Sequence, residues 1–383
     1  MRILMLCDWL PPEFGAVGQY ALKFAGDLAE VGHHVTLIGL TTQIASSTRE
    51  PRGAGVLIVR RIRRPMYDKQ SLRGRALWTL RTNISLLWCG LLELRLCNEI
   101  RFTGSPPYML HFVMPVARLL RRHTRYRITD FHPECLIAEF ERVPLPLRSL
   151  HAATRFWRRR VDVIEVLGED QRRLLVADGI EPERIHLVRD PSPVLFSAGE
   201  RPANPPEAIA GLKIVLYSGN FGVAHEQDTI LEGFSAFELR HPHRLGVWLN
   251  ATGSRVPAVL GGLRRQHVAV AHTKPVPLSD LPGVLLAADV HLICLRDRFV
   301  GYVLPSKVYA CIESGRPILF VGNDRSDVHE LCAAASAARR LTYRRVAVGD
   351  HSGVAAALEE LLLEEHLPAA ANRIHRTAVA VGS

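Results

Sequence analysis

Twice along this chain a short apolar run leads into a glycine-bearing loop and then an amphipathic helix, and that alternation restricts the folds open to it. Residues 2–7 form the first run, apolar almost throughout, as in a parallel strand covered on both faces. A loop from Pro11 to Gly18 follows. Ala21, Phe24, Ala25 and Leu28 then recur at helical spacing, Gly32 closes the helix, and residues 35–40 form a second strand. Five prolines (Pro191, Pro193, Pro202, Pro205 and Pro206) crowd residues 190–211. The alternation restarts at Ile214, with strands expected at 214–218, 245–249, 267–270, 290–295 and 318–321. The expectation is an α/β protein of two Rossmann-like domains facing across a cleft. Residues 1–195 form the first domain and 212–367 the second, with 368–383 packing back on the first. A chain of 383 residues suits two domains, since one typically holds roughly 100–200 residues.

Charge narrows the partners. Residues 1–200 hold 29 Lys and Arg against 21 Asp and Glu, so +8 of the net +10 lies there. Such a field draws anions: phosphates, acidic lipid or nucleic acid. Arg60, Arg61, Arg63, Arg64, Arg73, Arg75 and Arg81 lead into a Leu- and Trp-rich helical stretch, 77–96. That stretch suits either contact with anionic lipid or a buried bundle helix with solvated arginines. The arginines lack interleaved aromatics at recognition spacing, which argues against nucleic acid. Seven scattered cysteines without a C-x-x-C pair imply neither a disulfide framework nor a zinc cluster. The opening MRILMLCDW is too short an apolar stretch for a signal peptide, and no run reaches the ~20 residues of a spanning helix. The expected location is cytoplasmic, with a peripheral site at the inner membrane face.

Three loops after strands are candidate anion sites. Gly15 and Gly18 stand in the first, where the alternative is a tight strand-to-helix connection. Gly219 and Asn220 stand in the second, YSGNFGVAHEQDTILEGF, and Gly253, Ser254 and Arg255 in the third, NATGSRV. In VGYVLPSKVYACIESGRPILF, Pro305 and Ser306 mark a helix start and Lys307 falls in its first turn, a position the helix dipole opposes unless an anion is also there. The alternative is a solvated surface lysine.

Taken together, these segments resemble the family-4 glycosyltransferases, two-domain GT-B enzymes that use sugar nucleotides, over essentially the whole chain. PPEFGAVGQYALKFAGDLAEVGHHVTLIG is similar to that family's opening, YSGNFGVAHEQDTILEGF to its second-domain entry loop, and LPSKVYACIESGRPILF to its donor-binding helix. The nearest likeness is to the subgroup with a P-S-K motif, found in bacterial surface-polysaccharide assembly. The resemblance implies a retaining, metal-independent transferase without a cofactor, moving sugar from a nucleotide-sugar donor to a sugar or lipid-linked sugar acceptor by front-face attack. It places His132 and Asp130, in ITDFHPE, near the reacting sugar, although a His between Phe131 and Pro133 also reads as a buried structural residue.

The chain departs from the family pattern at four positions. The Arg and Lys usual on the donor diphosphate fall on Asn220 and His225, and two usual Glu fall on Tyr302 and Ala310. Lys307, Arg255 and backbone N–H groups then carry more of the diphosphate charge, and Glu313, on the next turn, is a candidate to replace the ribose-binding Glu, with a solvated glutamate as the favoured alternative. Three other readings stay open: transfer to a soluble, aminoglycoside-like acceptor, a non-catalytic nucleotide-sugar-binding subunit, and a sugar-nucleotide epimerase.

Overall fold

A computed structural model describes residues 1–13, 16–65, 72–192 and 194–363. Gly15 and the expected segment 368–383 lie outside the described residues. The chain divides into two compact units: residues 1–193 with 297–306 and 325–327 form the first, and the remainder forms the second.

The first unit holds one sheet of eight strands: β1 (Arg2–Trp9), β2 (His34–Thr41), β3 (Ser46–Arg52), β4 (Gly55–Arg63), β5 (Glu99–Thr103), β6 (His123–Ile128), β7 (Val163–Val166) and β8 (Ile185–Leu187). They lie in the order β3-β4-β2-β1-β5-β6-β7-β8, all parallel except β3 against β4. Alternate residues of β1 serve opposite faces, as a pleated strand requires. Ile3, Met5 and Cys7 pack with Ala21, Ala25 and Ala29 of the helix Ala16–Glu30, while Leu4 and Leu6 join Phe102, Ile128 and the helix Met109–Leu119. Alanines spaced four apart let the first helix lie close to the sheet. Gly18 takes that to its limit, because a Cβ there would stand 1.7 Å from the Trp9 carbonyl oxygen.

The second unit has six parallel strands: β9 (Lys213–Asn220), β10 (Leu245–Thr252), β11 (Ala269–Thr273), β12 (Val290–Cys294), β13 (Ile318–Val321) and β14 (Tyr343–Val346), ordered β11-β10-β9-β12-β13-β14. One face buries Tyr217, Leu249 and Leu292 with Phe234 and Phe237 of the helix Asp228–Arg240, and the other buries Leu216 and Trp248 with Val284 and Ala310.

Each sheet is mixed with helices in a doubly wound order, so both chain halves are α/β as expected. The strand order reverses between β9 and β12 in the second unit and between β1 and β5 in the first, and ligands of such sheets gather beyond the strand ends at these points.

Three local expectations shift. The strand expected at 267–270 begins instead at Ala269, because His267 adopts a left-handed conformation (φ 58°) that closes the preceding helix. The arginines at 60, 61 and 63 end strand β4, the last strand before the helix Leu72–Cys89, and β3 beside it, SSTREPR, is wholly exposed and carries no apolar signal. The stretch 77–96 is two helices, Leu72–Cys89 and Leu91–Leu96, divided at Gly90.

Candidate functional site

In the second unit two loops are built around glycines whose backbone other residues adopt only under strain. Gly219, at the end of β9, has φ 121°, and Gly253, just after β10, has φ 125°. A Cβ on Gly253 would lie 2.4 Å from the Phe221 carbonyl oxygen, so this glycine lets the third loop meet the second. The backbone joins them further: Phe221 N–H donates to Thr252 O (2.6 Å) and Arg255 N–H to Phe221 O (3.1 Å). Asn220 and Ser254 are exposed on this paired surface, and Arg255, half-buried, precedes the helix Val256–Arg265.

Lys307 reaches the same place from the helix Lys307–Glu313, which follows β12. A Cβ on Gly219 would be 3.8 Å from Lys307 Nζ. The lysine as a whole is half-buried, but its ammonium is enclosed, lies 3.0 Å from the centre of the Tyr217 ring and has no hydrogen-bond partner among the described residues. An aromatic face stabilises a desolvated cation by about 2 kcal/mol, well short of the several kcal/mol that desolvating it costs. Burial therefore drags the Lys307 ammonium from 10.5 down to about 7. The neighbouring thiols of Cys294 and Cys311 give it no counter-charge, since burial pushes each up to about 12 and keeps it neutral. The solvated-lysine reading therefore does not hold.

His225 stands where a second cation was sought. Burial, reinforced by Lys307, lowers it to about 3, and its Nδ1 accepts the Gly222 N–H (3.1 Å), so this imidazole is neutral. Glu313 is exposed at the far end of its helix, six residues or roughly 9 Å along the axis from Lys307. Ser306 is exposed and belongs to the first unit. Tyr302 is half-buried against Phe131, and Ala310 is buried in the apolar core. Neither position has space or charge for a carboxylate's role.

In the first unit, Gly18 is buried against Trp9, and packing alone accounts for it. Asp130 is exposed and pairs through its backbone with Val303. His132 is half-buried, its ring 6.1 Å from that of Tyr108, and its burial lowers the imidazole below its ordinary value despite the Asp130 and Glu134 carboxylates. A buried ion pair holds this loop. The Arg158 guanidinium, fully enclosed, grips Glu134 with both nitrogens, donates to the His132 carbonyl (3.0 Å) and stacks 4.7 Å above the centre of the Phe131 ring. His151 adds a contact at 3.2 Å to Glu134. Glu134 falls to about 2: the bonds from His151 and Arg158 outweigh its burial.

Asp8, at the end of β1, lies at the strand-order reversal. Its Oδ2 accepts the Ser105 hydroxyl (2.6 Å), its Oδ1 is enclosed without a partner among the described residues, and burial raises the carboxyl to about 6. Sequence reasoning missed Asp8, Tyr217 and Arg158. A lone acid closing an apolar strand is a visible signal for Asp8. Tyr217 reads as one more strand residue, and Arg158 sits among three consecutive arginines that look alike in sequence. Among the described residues no group of three or more His, Cys, Asp or Glu is placed to hold a metal ion.

No protein-family model matches this sequence, and no curated protein sequence matches it. Solved structures match its fold. The trehalose 6-phosphate synthase of Burkholderia multivorans is 15% identical, with a TM-score of 0.64, over 94% of this chain and 88% of its own. An E. coli structure named for trehalose-6-phosphate and bound with UDP-2-fluoro glucose is 13% identical, with a TM-score of 0.62, over 95% and 92%. WaaG, a glycosyltransferase involved in lipopolysaccharide biosynthesis, is 15% identical, with a TM-score of 0.59, over 95% and 91%. At these identities the likeness concerns the fold: this chain has the two-sheet α/β architecture of GT-B glycosyltransferases.

Proposed function

We propose that this chain is a retaining glycosyltransferase that moves a sugar from a nucleotide-sugar donor to a hydroxyl of a glycan or lipid-linked acceptor. The observation that carries the reading is the enclosed Lys307 ammonium, which has no hydrogen-bond partner among the described residues and lies beside Gly219 at the β9–β12 reversal. A buried cation without an anionic partner is unfavourable alone and becomes favourable when an anion arrives. A donor diphosphate supplies about two negative charges, and the amides of the two glycine loops add donors for its oxygens. Fold neighbours support the reading: one is bound with UDP-2-fluoro glucose and another is a glycosyltransferase of lipopolysaccharide biosynthesis.

As the bond from anomeric carbon to phosphate oxygen breaks, negative charge grows on the leaving diphosphate. Lys307 meets that charge and lowers the barrier. The acceptor's proton passes to a donor phosphate oxygen as the acceptor attacks the same face. We assign acceptor recognition to the first unit, with His132 and Asp130 at the sugar and Asp8 as a further polar group. This chemistry uses no metal, and transfer should persist in EDTA. The test is a thermal-shift screen over UDP-, GDP- and dTDP-sugars, in which a bound donor raises the melting temperature. A donor that stabilises the protein and is turned over with an added glycan acceptor supports the reading. Conversion of the donor, without any acceptor, into an isomeric nucleotide sugar would make it an epimerase.

One observation favours a second reading. Tyr302 and Ala310 leave the ribose without its usual carboxylate, as a non-catalytic binding subunit would. Donor binding with neither transfer nor hydrolysis would select it.

A further inference from the structure

The helix Leu72–Cys89 is apolar on the side where a surface helix is normally polar. At about 100° per residue, Leu77, Leu80, Ile84 and Trp88 fall within about 80° of one another, and all four are exposed, Trp88 by 76%. The opposite side, with Thr82, Asn83 and Leu86, is buried. Beyond Gly90 the short helix Leu91–Leu96 continues the exposed row with Leu91, Leu92 and Leu96. Isolated exposed leucines are ordinary, but a continuous row along two successive helices marks a surface that something covers.

The charges around the row indicate what covers it. Arg81 and Arg95 are exposed among the apolar side chains, and the helix Leu72–Cys89 contains no Asp or Glu. Glu93, the acid of the second helix, is held by Arg60 at 2.6 Å. Arg122 donates to the Arg95 carbonyl, which brings exposed Leu119 and Arg121 to the same edge. A second copy would bring its own Arg81 and Arg95 to the face, and the one acid of the two helices is already held by Arg60. An anionic bilayer offers the complement: phosphates for the arginines and an acyl boundary for Trp and Leu. Among the described residues no helix is long and apolar enough to cross a membrane, so the contact is with the surface.

We propose that this face docks the first unit on an anionic bilayer, with Trp88 and the neighbouring leucines at the headgroup boundary and Arg81 and Arg95 on lipid phosphates. The inference rests on this face alone. It is tested without donor or acceptor, so its failure and that of the transferase reading are separate.

The test is co-sedimentation of the full chain with vesicles of phosphatidylcholine mixed with phosphatidylglycerol, and with vesicles of phosphatidylcholine alone. Binding should need the anionic lipid and fall in high salt. Arg81→Ala and Arg95→Ala should each weaken it roughly fivefold. Trp88→Glu and Leu92→Glu should each weaken it at least tenfold, with unchanged thermal melts because both side chains are exposed. Equal binding by wild type and the glutamate variants, equal binding to neutral vesicles, or no binding at all would overturn the proposal. A dimer in sedimentation velocity that Trp88→Glu abolishes would overturn it too, and would assign the face to a second copy.

Discussion

The two units each bury a cation, and they treat it in opposite ways. In the first, the two terminal nitrogens of Arg158 meet both Glu134 oxygens and the His132 carbonyl, the Phe131 ring lies against its face, and its Nε has no partner among the described residues. In the second, Lys307 has an aromatic face and, among the described residues, nothing that accepts its hydrogen bonds. The first charge is neutralised within the fold by Glu134, and the pair fixes a loop. The second finds no acceptor among the described residues, and the proposed function gives it an external anion. A buried charge therefore points to binding through the partners it lacks, and burial alone would not have separated the two.

The largest effect that would test this contrast is on stability. Glu134→Ala strands the Arg158 charge in the interior and should destabilise the protein by about 3–5 kcal/mol in urea unfolding. A loss below about 1 kcal/mol would mean that the Arg158 site is not the closed pair described.

Acid offers the same test without mutation. Glu134 titrates at about 2 in the folded chain against 4.5 ordinarily, so the unfolded chain binds more protons between those values. Its stabilisation is fully present above about 4.5 and disappears as pH falls toward 2, a loss of about 3 kcal/mol. In Glu134→Gln that part of the acid slope should vanish.

Packing gives a smaller effect unrelated to charge. Gly18→Ala forces a methyl into the Trp9 carbonyl and should cost about 1–3 kcal/mol, read as a lower melting temperature. Smallest of all is the stability change expected for Lys307→Met. It removes an unmatched charge and keeps the volume, so stability without ligand at pH 7 should change by less than about 1 kcal/mol or rise. A large loss would show that Lys307 serves the fold in the way Arg158 does.

Much of the architecture is readable in the residues themselves. Apolar runs such as residues 318–321 must be buried strands, and glycines such as Gly219 and Gly253 in the loops after strands announce special backbone there. Other features depend on what lies across space. Strand β3 exists only because β4 offers it an edge, and nothing in SSTREPR says so. Lys307 was identifiable as a candidate from its motif position. Its enclosure, and the Tyr217 ring beneath it, depend on a residue 90 positions away and could not be read locally. Glu313 is exposed at the far end of a short helix, and its nearness in sequence to Ala310 does not by itself set its place relative to the loops.

The central claim is that Lys307 is held for the diphosphate of a nucleotide sugar, and calorimetry of donor binding across pH tests it most directly. With the folded lysine near 7 and the unfolded one near 10.5, the chain without ligand is stabilised as pH rises between those values, and the lysine is mostly neutral by pH 8. A bound diphosphate restores the charge. Binding at pH 8, measured in buffers of different ionisation enthalpy, should therefore take up about 0.9 proton, and affinity should fall by up to roughly tenfold per unit above pH 7. In Lys307→Met the uptake should disappear and the affinity at pH 7 should drop by about ten- to a hundredfold. Donor binding with no proton uptake, and with the same affinity in Lys307→Met, would contradict the account.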